Sequence, residues 1–274
     1  MNTESLDVIP LWGFLIAAIA VALLSLEIGY RLGKWRHART ADEKDAPVGA
    51  MVASVLALLA FMLAFTFGLA ASRFDARRQV VLEEANAIGT TYLRTHLLPE
   101  PERTETARLL REYVDVRVNA TQERIPEAIA RSEELHQLLW SRATTAAAKN
   151  PGSIMTGLFI QSLNEVIDLH AKRLLVALRS RIALAIWFTL FALGFLGMLS
   201  TGYQAGLSAT RRSPEMLILA LAFAGVLFLV VDLDRGHEGL LRVSQQAMID
   251  LQRTMHTDRQ PPTESSSSSQ RPGS

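Results

Sequence analysis

Six histidines, scattered carboxylates and no cysteine are all that this chain offers toward catalysis. His37, His96, His136, His170, His237 and His256 never stand three or four apart, so no single helix face presents two imidazoles to a metal. Carboxylate metal sites in helical bundles repeat a Glu-x-x-His pair on facing helices, and Glu133, Glu134 and His136 do not make up that pattern. There is no glycine-rich phosphate loop, no Walker sequence and no nucleophile elbow. Without cysteine there is also no thiolate ligand, thiol nucleophile or disulfide. The expectation is a protein that is not an enzyme, with no catalytic residue, no cofactor and no metal.

The residues that could act by other means lie at the ends and on one face of apolar runs. Phe61 and Phe65 are four apart, and Leu69 extends the row. Large apolar side chains around a pore can gate it by dewetting, and the same rings could equally face lipid or a neighbouring helix. Asp232, Asp234 and Arg235 follow the last apolar run, and Arg73 and Arg77 follow the second. Ionisable groups at membrane depth are costly and often functional. These five could form an ion vestibule, or pair with one another at the membrane interface. In the stretch after Arg73, the residues Glu84, Asn86, Gly89 and Thr90 interrupt an otherwise apolar stripe, and Gly89 suggests the close approach of another helix. Gly29-x3-Gly33 and Gly202-x3-Gly206 are spacings suited to helix contacts.

The elements that must position these residues are helical and cross a membrane. Nearly half of the chain is hydrophobic, and its mean hydropathy is +0.19, with the apolar residues gathered in blocks. Lys plus Arg number 28 against 27 Asp plus Glu, so the charge balance makes no case for nucleic acid. The organising stretch is 48–98. It is uncharged from Ala46 to Ser72 and free of proline until Pro99. At about 1.5 Å per residue the uncharged part exceeds a hydrocarbon layer of roughly 30 Å, so the spacing predicts one helix that crosses the bilayer and continues beyond it. A first span, residues 8–26, has Trp12 and Trp35 near its ends as interfacial anchors, and a short linker to Pro47 makes a hairpin with the second. Helices are expected at 104–124 and 127–149. Another should start at Ser153 and run without a break into a third span near Ile182, since no proline intervenes before Pro214. A fourth span starts at Met216, and a last helix covers 238–255.

The expected fold class is an all-α membrane protein with four transmembrane helices in two hairpins. Its extramembrane antiparallel helical bundle is continuous with helices two and three. The divisions are 1–47 (first span and basic linker), 48–72 (second span), 73–181 (bundle), 182–232 (third and fourth spans), 233–257 (C-terminal helix) and 258–274 (disordered tail). The setting is the cell (inner) membrane. The basic residues after the first span favour an external N-terminus, and the arginines flanking the bundle balance that count, which leaves the side of the bundle open.

The run AASRFDARRQVVLEEANAIGTTYLR, then LLREYVDVRV, then DLDRGHEGLLRVSQQAM resemble the bestrophin-like family of bacterial membrane proteins over residues 47–248. Gly236-His237 stands where that family's pattern would place a proline after DLDR. The family name implies similarity to bestrophins, oligomeric anion channels with four spans per subunit and a large helical portion. By that resemblance Phe61 and Phe65 would line a pore neck on the second span, and the bundle would be cytoplasmic. The acidic calcium clasp of animal bestrophins is not visible in Asp232 and Asp234 alone. The reading is a homo-oligomeric channel-like protein in a lipid bilayer passing small anions. Its alternative is a membrane-anchored sensor or interaction module using the bundle.

Overall fold

The computed structural model describes residues 10–39, 45–120, 124–179, 182–208, 214–235 and 240–258. The order is α1 (Leu11–Arg39), α2 (Asp45–Thr95), α3 (Glu102–Val118), α4 (Ile125–Lys149), α5 (Ile154–Arg179), α6 (Leu184–Leu207), α7 (Pro214–Arg235) and α8 (Gln246–Thr257). No strand occurs among the described residues. Four helices are long and apolar enough to cross a membrane: Leu11–Arg39, Val48–Thr95, Leu184–Leu207 and Met216–Arg235. Their hydroxyls are absorbed locally, as an apolar solvent requires. Ser25 donates to the Val21 carbonyl, Thr66 to Met62, and Thr201 to Gly197, each one turn back.

The chain divides into two compact units. The first comprises Met1–Arg77 and Leu175–Val243. Its tightest contact joins α1 to α6, backbone against backbone. A Cβ on Gly29 would lie 2.0 Å from the Leu199 carbonyl oxygen, and one on Gly33 would lie 2.1 Å from that of Tyr203. The relation is reciprocal: Cβ atoms on Gly202 and Gly206 would meet the Leu26 and Tyr30 carbonyl oxygens at 2.1 and 2.3 Å. The two small-residue spacings seen in the sequence are thus partners, and no side chain larger than hydrogen fits at any of the four positions. Such close approach brings dispersion and Cα–H···O contacts where lipid supplies no hydrophobic drive. Elsewhere in the unit Phe14, Leu59, Trp187, Leu190 and Leu227 share a buried core, with Trp187 stacked on Phe191 at 5.8 Å between centroids.

The expected unbroken helix from Ser153 into the third span is corrected by the structure. The α5 helix ends at Arg179 and α6 begins at Leu184, with Ala183 in an extended conformation at ψ 137°. No proline causes the break. The Ile182 amide donates to Asp234 Oδ1 at 3.1 Å, a buried carboxylate that takes this N–H out of the helical ladder. The last helix starts at Gln246 and does not include 240–245, where the Leu240 and Leu241 amides donate to the Asp232 carboxylate at 3.0 and 3.1 Å; residues 238 and 239 of the expected helix lie outside the described residues.

The second unit comprises Arg78–Leu174 and Ser244–Ser274. Ile88, Leu109, Leu110, Val114, Leu135, Leu139, Phe159, Leu163, Met248 and Met255 pack in its core, drawn from α2, α3, α4, α5 and α8. The α8 helix lies against α3 through these two methionines and through Gln252, whose amide donates to Asp115 Oδ1 at 2.7 Å. Gly89 faces α8: a Cβ there would stand 3.3 Å from Leu251 Cδ1, the neighbouring helix that the glycine suggested.

Substituting Gly29→Leu or Gly202→Leu forces α1 and α6 apart. It is expected to lower the thermal unfolding midpoint of the detergent-purified protein by about 5 °C or more. Gly157→Ala, in a helix with nothing within 4 Å, is expected to leave the midpoint unchanged or raise it through a propensity gain of at most about 1 kcal/mol.

Candidate functional site

In the first unit the charged residues singled out in the sequence converge at the end of α7. Asp232, Asp234, Arg235 and Arg77 are all buried. Arg77 donates to the carbonyls of Leu233 and Asp234, the latter at 3.1 Å, so a cation from α2 satisfies orphan carbonyls at the negative end of the α7 dipole. The two carboxylates hold backbone amides: Asp234 that of Ile182, and Asp232 those of Leu240 and Leu241. This geometry braces chain ends. Arg73, one turn before Arg77, is half-buried.

Phe61 and Phe65 stand 66% and 55% exposed on α2. Leu69 does not share their face, since it is half-buried against the core of the unit. The exposed row runs instead through Leu58, Phe61, Phe65, Gly68 and Ser72, a three-four alternation that follows the helix turn. Large rings thus give way to small residues along one face.

The second unit holds a buried polar cluster that sequence reading did not assemble. Glu84 of α2, Tyr113 and Arg117 of α3, His136 of α4, and His170 of α5 are all buried, and Arg173 of α5 is nearly so. Tyr113 OH donates to Glu84 Oε1 at 2.7 Å, and its oxygen lies 3.2 Å from His170 Nδ1. Because the phenol hydrogen goes to the carboxylate, the Tyr113 oxygen accepts from His170 Nδ1–H, leaving Nε2 as the bare nitrogen. Arg173 ion-pairs with Glu84 and donates to Gln245 Oε1 at 3.2 Å, while Arg117 Nε lies 3.3 Å from Glu84 Oε1. The His136 ring packs 4.7 Å from Tyr113 and 4.9 Å from His170, nearly perpendicular to the latter at 86°.

Burial dominates the ionisation of this cluster. It lowers His136 to about 4, with the His170 ring adding to the effect, and lowers His170 to about 4, helped by the Arg117 charge. Burial and the Glu84 charge push the Tyr113 phenol well above its usual range. Desolvation and the neighbouring Arg117 lower Arg173. Both imidazoles and the phenol are therefore neutral at pH 7. Among the described residues no three His, Cys, Asp or Glu side chains come together to hold a metal. Glu133 and Glu134 are exposed while His136 is buried, so that set does not share a face. A cleft of about 420 Å³ runs along α5, lined by Gln161, Asn164, Glu165, Asp168, Leu169 and Lys172, which presents polar side chains without a nucleophile–base pair.

The signal for the cluster was faint but present. Glu84 interrupts an apolar stripe, and Tyr113 and Arg117 share a helical face with Leu109, Leu110 and Val114. Each helix contributes polar residues to its core side, and only tertiary packing brings them together.

The pH response follows from the depressed imidazoles. Above about pH 6.5 neither the folded nor the unfolded chain protonates them, and the stability they contribute is fully present. Between 6.5 and about 4 the unfolded chain takes up protons that the folded one refuses, so stability falls with pH by up to about 1.4 kcal/mol per unit for each ring. The thermal midpoint should fall over this window, and the slope should shrink in His136→Gln/His170→Gln relative to the parent.

A profile of the bestrophin-like domain matches residues 18–248. Two single-substitution variants of a bacterial bestrophin homologue from Klebsiella pneumoniae superpose with TM-scores of 0.67 and 0.65, each at 15% identity. These alignments cover 89% and 91% of this chain and 98% and 99% of the homologue. A crystal structure described as a membrane protein gives a TM-score of 0.66 at 15% identity, covering 90% of this chain and 97% of that one. Identity this low speaks for the fold alone. No curated protein matches the sequence. The profile match spans the second apolar run, the EANAIGTTYLR segment and the DLDR terminus of α7, and with it this all-helical membrane chain belongs to the bestrophin-like family.

Proposed function

We propose that the chain is one subunit of a homo-oligomeric, anion channel-like protein of the cell (inner) membrane. The four apolar helices pair as two hairpins, and the second unit forms an antiparallel bundle outside the bilayer. The observation that carries this reading is the exposed row on α2, where Phe61 and Phe65 face away from the core of their own unit. A helix that leaves two phenylalanine rings uncovered beside Gly68 and Ser72 is suited to surround an axis shared with other copies. Rings repeated around that axis make an apolar neck that water wets poorly. Membership in the bestrophin-like family supports the channel class. Arg73 is the charge placed to draw anions toward such a neck, and Arg77, engaged with α7 carbonyls, acts as a brace.

The experiment is current across a planar bilayer containing purified protein of known native mass. Phe61→Ala/Phe65→Ala is expected to widen the neck and raise unitary conductance severalfold, while Arg73→Gln lowers anion preference with conductance retained. An intact oligomer that passes no current in either form would favour the interaction-module reading instead.

A further inference from the structure

The cluster in the second unit does not balance its charge. Glu84 supplies one negative charge, against the positive charges of Arg117 and Arg173. His136, His170 and Tyr113 add none at pH 7. The cations nearby on the same helices are engaged elsewhere: Lys172 pairs with Glu83, and Arg131 with Glu112 and Glu134. Among the described residues Glu84 is the only carboxylate that pairs with either guanidinium. One positive charge is thus left over in a site where Glu84 and Tyr113 are 0% exposed and Arg117 is 8% exposed.

Three buried nitrogens of the cluster also lack a hydrogen-bond partner: His136 Nε2, His170 Nε2 and Arg117 Nε, which meets Glu84 Oε1 as an ion pair at 3.3 Å with its N–H directed elsewhere. The Tyr113 hydrogen bond fixes His170 Nε2 as the bare nitrogen. Arg117 Nε–H is a donor, and His136 is free to adopt the tautomer with its hydrogen on Nε2. Unmet donors beside unmatched positive charge select the ligand. A metal cation is opposed by both guanidiniums. A water molecule would satisfy the hydrogen bonds and leave the charge, whose burial without a counterion is strongly unfavourable. Two unmet donors suit a spherical ion better than a tetrahedral oxyanion, whose four oxygens would mostly stay unpaired.

We propose that the core of the second unit binds one small monovalent anion of the halide class, held by Arg117 Nε–H and His136 and neutralising the guanidinium that Glu84 leaves unmatched. This anion is a structural ligand of the folded chain, distinct from any ion that passes through a pore. Binding to the folded state alone raises stability by mass action.

The test uses full-length protein crystallised in bromide, with anomalous difference maps recorded at the bromine edge for the parent and for Arg117→Gln. That substitution brings the cluster to neutrality, so it removes the reason for the ion while keeping the Arg173–Glu84 pair. The expected result is a bromide peak against Arg117 and His136 in the parent and none in the variant. In parallel, exchanging gluconate for chloride at equal ionic strength should raise the thermal midpoint of the parent by about 3 °C and leave Arg117→Gln unmoved. A parent map with bromide peaks only elsewhere overturns the proposal, as does a chloride shift of equal size in the variant. Should Arg117→Gln fail to fold, His136→Phe replaces it, and the parent map decides on its own. Neither readout depends on conduction, so an inactive pore leaves this result standing.

Discussion

The second unit depends on one carboxylate. Glu84 is fully buried on α2 and is the point at which α3 and α5 are tied to it, through Arg117, Tyr113 and Arg173. Removing one partner of a buried ion pair typically costs about 3–5 kcal/mol because the other charge stays behind, and here two guanidiniums would stay behind. The apolar contacts around it, from Ile88 to Phe159, are the usual interior of a helical domain and could be met by many packings. A charge that can be satisfied in only one arrangement selects among them. The phenol and imidazole that extend from Glu84 carry this ordering to α4, where His136 packs on Tyr113 without a direct bond to the carboxylate.

The first unit works on the opposite principle. Its α1–α6 contact is closest where there is no side chain at all, because Gly29, Gly33, Gly202 and Gly206 let carbonyl oxygens approach the facing backbone, while Phe14 and Leu26 pack on α6 beside them. In an apolar solvent shape and polar satisfaction replace hydrophobic burial as the source of specificity. The end of α7 shows the second half of that principle. Arg77, Asp232 and Asp234 are buried, yet each meets backbone groups that would otherwise be orphaned.

The long helix α2 was legible because no proline interrupts residues 48–98, and the α2 bounds Asp45–Thr95 fall within a few residues of that expectation. The four membrane helices were equally plain, since length and apolarity alone define them. What escaped was every feature fixed by a partner distant in the chain. Ala183 carries no local signal for an extended conformation; the cause is Asp234, far along the sequence. The residues before Gln246 look helical until Asp232 takes their amides. His136 and His170 appeared scattered because periodicity describes one helix at a time. Leu69 was placed in line with Phe61 and Phe65 by counting in fours, and the slight excess of that count over a true turn carries it toward the core.

The glycine contact has a consequence for how this sequence can drift. At Gly194, where the obstructing group is the Phe223 ring, or at Gly197, where it is Leu56 and Leu59, a larger residue could be accommodated by a smaller one opposite, so those positions are free to change in pairs. At Gly29, Gly33, Gly202 and Gly206 the obstructing atom is a carbonyl oxygen, which every amino acid carries. No substitution on the facing helix can make room there. These four positions should therefore show no correlated change among descendants of this chain: each stays glycine, or the pair of helices is lost together.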